Sequence, residues 1–391
     1  MKELFLDANA HLPLNTIALQ AYNDFVCSKA NHGHPSSLSE PGRLAATALE
    51  NARIRIAQLI GAKDSNQIIF TSGCTQACEW AMDIFFNLDA HKYHSDLNPI
   101  AISPVEHPAI RDAFEKSDKQ YHPSEPSTRL SVDKDGMVQP FQAQSWQDFG
   151  IDKIVCTYVQ NEIGVIQPVG TLKTALFSND GREFFSGTTK QKYVLSDMSQ
   201  ALGKIDLNVT NLDVDIAIFG AHKFGGPGNI GFIYLKNTDW WLPFGTGSRY
   251  FMDRPGTPDV AGIITTATAL EEALRTLSVR QENMKKFQST LEDGLKMRGY
   301  EIIAEQAHRV PNTTFVNIPN LAMLAVMKLG EKGIHVGLGS ACGSMHTGPS
   351  PLMKVLNREG NINDYLRISQ WGEYGHKDAE YFLHVLGGIG L

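Results

Sequence analysis

Nowhere in its 391 residues does the chain carry eighteen consecutive apolar residues, so no membrane-spanning helix and no membrane partner are expected. Its first residues, Met1-Lys2-Glu3-Leu4-Phe5-Leu6-Asp7, bring in an acid at once and lack the apolar stretch of a signal peptide, which makes the cytoplasm the expected compartment. Basic blocks are missing too. With 35 Lys and Arg against 42 Asp and Glu, the net charge of -7 leaves no electrostatic footprint for nucleic acid, and no direct nucleic-acid contact is expected. Cysteine is scarce and odd in number: Cys27, Cys74, Cys78, Cys156 and Cys342 are scattered without metal-ligand spacing. That argues against a disulfide framework and against a zinc site, and leaves at least one thiol free. There is no internal repeat and no low-complexity tract.

What is present is an ordinary globular composition, 42% hydrophobic and 20% charged, long enough for one large and one smaller domain. Short apolar runs bounded by polar or Gly/Pro punctuation recur at 67–71, 100–103, 153–158, 193–196, 214–219 and 230–235, most with helix-length segments between them. This pattern predicts an α/β fold with a mostly parallel sheet covered on both faces. A helix is expected over about 44–60, a surface loop over 180–192, and one long helical run over 260–299, followed by shorter elements that include 313–318. The division expected is a large domain over 15–257, with 1–14 and 258–391 forming a smaller α+β domain.

The most informative stretch is Phe219-Gly220-Ala221-His222-Lys223-Phe224-Gly225-Gly226-Pro227, whose Lys lies 26 positions after the Asp of Ser196-Asp197-Met198-Ser199-Gln200. An acid ending one apolar strand and a lysine just after the next suit pyridoxal 5'-phosphate: the amine forms the Schiff base, and the carboxylate keeps the pyridine nitrogen protonated. The carboxyl ends of strands are also where open α/β sheets bind ligands. Phe70-Thr71-Ser72-Gly73-Cys74-Thr75-Gln76 follows a strand and opens a helix, where backbone N–H groups receive a phosphate. Taken alone, it reads first as an ordinary capped helix start.

Together with Phe5-Leu6-Asp7-Ala8-Asn9-Ala10, Pro35-Ser36-Ser37, Glu106-His107, Asn161-Glu162-Ile163-Gly164, Arg254-Pro255-Gly256-Thr257, Gly339-Ser340-Ala341-Cys342 and Leu366-Arg367-Ile368-Ser369, these stretches resemble, in order and spacing, a group I cysteine desulfurase. This is the iron-sulfur-cluster type within the class V aminotransferases. The resemblance runs from Leu6 to about Phe382. It implies the type I fold of pyridoxal-phosphate-dependent transferases, with a mostly parallel seven-stranded sheet in the large domain.

The resemblance also implies roles. Lys223 matches the Schiff-base lysine and Cα base, and His107 the residue that stacks on the ring and assists at the substrate thiol. Asp197 matches the partner of the pyridinium nitrogen, Gln200 that of the ring hydroxyl, and Asn161 a neighbour of cofactor and substrate. Thr75, position 220 and His222 match phosphate contacts, with Cys74 in the same loop, and Thr257 matches a phosphate contact from the partner of a homodimer. Arg367 matches the grip on the substrate carboxylate, for which a bidentate guanidinium is suited. Cys342 matches the nucleophile that takes the sulfur of L-cysteine as a persulfide. Isolated, Arg367 reads as a salt-bridged structural residue and Cys342 as a buried inert thiol, but the small polar segment Gly343-Ser344-Met345-His346-Thr347-Gly348 favours a thiol carried on a mobile loop.

Three departures stand out: Cys74 replaces the family's Ala, Gly220 lacks the hydroxyl usual there, and His34 replaces the Asn before Pro35. The segment Gly245-Thr246-Gly247-Ser248-Arg249-Tyr250 also differs. The implied activity is conversion of L-cysteine to L-alanine with transfer of sulfur to an acceptor, a sulfur-carrier or scaffold protein. The acceptor would serve iron-sulfur cluster assembly or a dedicated thiolation of tRNA or of DNA as phosphorothioate. A selenocysteine lyase on the same fold, or an idle scaffold that keeps its cofactor for stability, are the alternatives.

Overall fold

A computed structural model describes residues 2–88, 100–121, 127–139, 151–177, 191–241, 256–339, 351–358 and 360–390. Most of the expected loop over 180–192 lies outside these residues, as do Cys342 and the segment that follows it. Among the described residues no helix is long and apolar enough to cross a membrane.

Near-continuous apolar runs form the strands of the larger sheet: β2 (Ile68–Thr71), β3 (Ile100–Ile102), β5 (Lys153–Val155), β6 (Tyr193–Asp197), β7 (Ile216–Gly220) and β8 (Gly231–Leu235), with the short β4 (Thr128–Arg129) at one edge. All but β4 are buried on both sides, because successive side chains point to opposite faces and both faces are covered. Phe70, Ile154, Val194, Ala217, Phe219 and Phe232 pack on one side with α1 (Thr16–Val26), α2 (Glu40–Ile60) and the helix Val260–Arg275. Ile69, Val155, Leu195, Ile216, Ile218 and Ile233 pack on the other with α3 (Cys74–Asn87) and α4 (Pro108–Tyr121). The strand order is β2-β8-β7-β6-β5-β3-β4. Only β8 runs against the rest, so β2, β3, β5, β6 and β7 all end on the same edge.

The smaller sheet has the order β1-β11-β12-β10-β9, built from β1 (Leu4–Leu6), β9 (Glu301–Ile302), β10 (Thr313–Asn317), β11 (Ile334–Leu338) and β12 (Tyr365–Ser369). Leu4, Leu6, Val316, Leu366 and Ile368 face the helices Leu277–Met297, Ala322–Glu331 and His376–Gly388. Alternation then turns Tyr365 and Phe315 to the opposite face, against Val105 and Ile163 of the larger unit.

Two elements differ from the sequence expectation. The helix expected from residue 44 begins at Glu40, because Ser39 caps it through Gly42 N–H and a proline occupies its first turn; Gly61, left-handed at φ 74°, ends it. The run expected over 260–299 is two helices that meet at Thr276, whose hydroxyl donates back to the Glu272 carbonyl at 2.9 Å. Such back-bonding bends helices, and here the first helix joins the core of the larger sheet while the second covers the smaller.

Candidate active site

The shared edge of β2, β3, β5, β6 and β7 carries most of the expected residues. His107 follows β3, Asn161 follows β5, Asp197 ends β6, Lys223 closes the turn after β7, and Thr71 leads into α3. The segment after β1 reaches this edge from the smaller sheet, where Asp7 bridges to Ser369.

Asn9 is the hub of the site. Its carbonyl accepts from Lys223 Nζ at 2.7 Å and from Gln200 Nε2 at 2.9 Å, while its Nδ2 donates to the Asn161 carbonyl at 3.1 Å and to Thr313 Oγ1 at 2.8 Å. Lys223 Nζ also reaches the Ala10 carbonyl at 2.8 Å. The Asn9 side-chain oxygen accepts from Lys204 Nζ at 2.8 Å, and the same ammonium group bonds Gln200 Oε1. Lys204 is fully buried; its burial, with Lys223, Arg367 and Arg280 nearby, pushes its pKa well down. Gln200 is therefore engaged at both ends of its amide, with one Nε2 hydrogen left for a ligand.

Asp197 Oδ1 accepts from the Ser199 N–H at 2.9 Å. Its carbonyl takes the Thr157 hydroxyl at 3.3 Å, and the Thr157 N–H donates to Glu106 Oε1 at 2.5 Å. Glu106 is buried with Oε2 lacking a partner among the described residues, and burial first, with Asp197 adding, raises its pKa to about 8. The neighbouring His107 has its pKa lowered by burial and by Lys223, Arg111 and Arg367, against the pull of Asp197. Its Nδ1 accepts from Ala109 N–H at 3.1 Å.

No side chain caps α3: Gly73 holds the cap position at φ 136°, and Cys74 and the exposed Thr75 form its first turn. The stretch is thus not the ordinary capped start that its hydroxyls allow. Gly220 borders it, and a Cβ there would lie 3.1 Å from Cys74 Cβ and 3.1 Å from His222 Cε1. A side chain at 220 would therefore crowd the Cβ of residue 74, an atom that any residue there except glycine carries. The Gly220 N–H donates to Ser199 Oγ at 3.1 Å, which also touches Cys74 Sγ at 3.4 Å. His222 Nδ1 is buried without a partner among the described residues, and burial first, then Lys223 and His11, lower its pKa to about 3.

Arg367 on β12 is 1% exposed and donates through Nη2 to Asp7 Oδ1 at 2.7 Å, while its Nε has no partner among the described residues. Gly337 makes room: a Cβ there would lie 2.6 Å from Asp7 Oδ1. The salt-bridged reading of Arg367 is thus fulfilled with a donor left over. Thr257 is exposed in the single chain, and Cys342 lies outside the described residues. The sequence reading gave no role to Asp7, Asn9, Lys204 or His11; Asp7 and Asn9 stood inside one matched motif, which was the available signal.

The residues present fit pyridoxal phosphate. An uncapped helix start and an orphan imidazole nitrogen suit a phosphate, and the acid and lysine at adjacent strand ends suit the ring.

The chain belongs to the aminotransferase class-V family, whose family model matches residues 4–380. Within that family it is similar over nearly its whole length to proteins named cysteine desulfurase IscS. It is 31% identical to that of Dictyoglomus turgidum across 98% of this chain and 94% of the relative, and 29% identical to that of Methanosarcina thermophila across 98% and 91%. Among solved structures, a NifS-like protein matches with a TM-score of 0.82 at 24% identity, covering 99% of each chain. The apo cysteine desulfurase of Thermococcus onnurineus matches with a TM-score of 0.82 at 19% identity, covering 100% of this chain and 95% of that one. The fold is the type I fold of pyridoxal-phosphate-dependent transferases.

Proposed function

We propose that the protein is a pyridoxal-phosphate-dependent cysteine desulfurase, converting L-cysteine to L-alanine while the sulfur remains as a persulfide on Cys342. The observation that carries this reading is the meeting of Asp197, Lys223 and His107 at one sheet edge with Arg367, whose buried guanidinium has a donor to spare.

When bound, the cofactor supplies an electron sink for the electrons left at the substrate Cα. Lys223 would hold it through Nζ, leaving the Asn9 and Ala10 carbonyls, and afterwards take the Cα proton. Asp197 would keep a proton on the pyridine nitrogen, and the remaining Gln200 hydrogen would serve the ring hydroxyl, with Asn161 close by. The α3 start with Cys74 and Thr75, joined by His222, would hold the phosphate. Arg367 fixes the substrate carboxylate through Nε and so orients Cα. His107, biased toward the neutral ring, accepts the substrate thiol proton. As the Cys342 thiolate bonds to the substrate sulfur, the Cβ–S bond would break with its electron pair left on the carbon fragment, which is protonated to alanine, and the persulfide would pass its outer sulfur to a sulfur-carrier or scaffold protein.

A homodimer, with Thr257 reaching the partner's phosphate, is supported by the exposure of Thr257 and by the apolar side chains Ile17, Leu19, Tyr22 and Val26 exposed on α1. The free thiols of Cys27, Cys74, Cys78 and Cys156 support a reducing compartment, the cytoplasm. The domain division proposed is 15–257 against 1–14 with 258–391, except that the helix Val260–Arg275 packs with the larger sheet.

The test is release of sulfide and alanine from L-cysteine with a thiol reductant. Equal amounts of the two products are expected, with Cys342→Ser keeping the cofactor but releasing no sulfide. Turnover retained in that variant rejects the role of Cys342, and turnover of selenocysteine alone rejects the substrate.

A further inference from the structure

His11 stands immediately after the segment that joins β1 to the site, and the sequence reading gave it no role. Its backbone is pinned on both sides. The Ala10 carbonyl accepts from Lys223 Nζ at 2.8 Å, and the Leu12 N–H donates to the His222 carbonyl at 3.2 Å. Its exposed imidazole lies flat on that of His222, with ring centroids 5.6 Å apart and planes 16° from parallel.

Two separate paths lead from this ring to the start of α3. Through His222, the path crosses Gly220, where a Cβ would lie 3.1 Å from both His222 Cε1 and Cys74 Cβ. On the other side, a Cβ on Gly228 would lie 3.8 Å from His11 Cε1, and one on Gly73 would lie 3.7 Å from the Gly228 carbonyl oxygen. Gly73 is the cap residue of α3 and Cys74 its first residue. His11 therefore closes a ring of neighbouring residues, Gly73-Cys74-Gly220-His222-His11-Gly228, that includes the uncapped helix start.

The donors on that ring fall short of what a phosphate group takes. Position 220 has no side chain, and its N–H is used by Ser199 Oγ. Cys74 offers only a weak thiol donor, which already faces Ser199. What remains within the chain is the helix N–H groups, the Thr75 hydroxyl and one imidazole, to which the homodimer proposed above would add the partner's Thr257. We propose that His11 is a ligand of the cofactor phosphate, its ring N–H closing the solvent side of the cradle in place of a hydroxyl at position 220. The His222 stack sets the plane of the ring, so that the donor is held in position before the phosphate arrives.

This inference rests on pyridoxal phosphate being the cofactor, and the test separates the two. Affinities of the apoprotein for pyridoxal phosphate and for pyridoxal, which lacks the phosphate, are measured for the unaltered chain, His11→Ala and His11→Gln. Loss of one hydrogen bond to a charged group predicts about tenfold weaker pyridoxal phosphate binding in His11→Ala. Pyridoxal binding is expected to stay unchanged, and His11→Gln, which keeps an N–H donor, to recover most of the loss. Inorganic phosphate should likewise compete less well in His11→Ala. Equal affinity of His11→Ala and the unaltered chain for pyridoxal phosphate overturns the assignment, as does an equal loss for both ligands, which would place His11 on the ring or in the fold. If the unaltered apoprotein binds no pyridoxal phosphate at all, the cofactor reading fails and the assignment fails with it.

Discussion

Arg367 Nη2 lies 2.7 Å from Asp7 Oδ1, a contact between the middle strand of the smaller sheet and the end of its first strand. The pair aims the guanidinium at the site and leaves Nε unpartnered among the described residues. Arg367→Lys keeps the charge but loses the fork, so KM for L-cysteine should rise roughly ten- to a hundredfold with cofactor content unchanged. Asp7→Asn should lower stability by about 2 kcal/mol, since it weakens a largely buried ion pair. Steady-state kinetics and urea unfolding check both, and an unchanged KM in Arg367→Lys removes the arginine from substrate binding.

Lys223 should be the one covalent attachment point. Borohydride treatment of the loaded protein is expected to fix the cofactor to the peptide that contains Lys223, as read by mass spectrometry. Lys223→Ala should bind the cofactor reversibly and yield no fixed adduct. An adduct on Lys204, the buried lysine nearest in electrostatic terms, would reassign the role.

Glu106 makes stability depend on pH. Its pKa is about 8 in the folded protein against an ordinary 4.5, so the folded state binds the proton more tightly than the unfolded chain. Stability contributed by that proton is intact below about pH 4.5 and is lost as pH rises through about 8. Glu106→Gln, which mimics the protonated acid, should therefore gain on the unaltered protein by about 3 kcal/mol between roughly pH 6 and pH 9. Parallel pH dependence of the two proteins in urea unfolding would refute it.

Cys74 and Gly220 should behave as a complementary pair. Gly220→Ser brings a Cβ to 3.1 Å from Cys74 Cβ and is expected to cost about 1–2 kcal/mol by crowding. Cys74→Gly removes that Cβ, so the double variant should recover part of that loss, a coupling that a double-mutant cycle measures directly. Additive effects would show that the two positions do not share the space.

Much of the fold was legible in the sequence because its signals are local. Tyr193-Val194-Leu195 and Ile216-Ala217-Ile218-Phe219 announce strands buried on both faces, and Asp197 and Lys223 announce a site at their ends. The break at Thr276 was hidden, because helical periodicity continues across it and only the choice between two cores bends the chain.

Sequence by itself determined the strands, the α/β class and the order of the motif residues, since apolar alternation and punctuation act over a few neighbours. Tertiary structure decided the rest. The common direction of β2, β3, β4, β5, β6 and β7 brings their ends to one edge, and pairing of Asp7 with Arg367, of Asn9 with Lys223 and of Cys74 with Gly220 joins residues more than a hundred positions apart. Such contacts depend on which strands neighbour each other and on how much room a missing side chain leaves. Neither quantity is carried by any short stretch of residues.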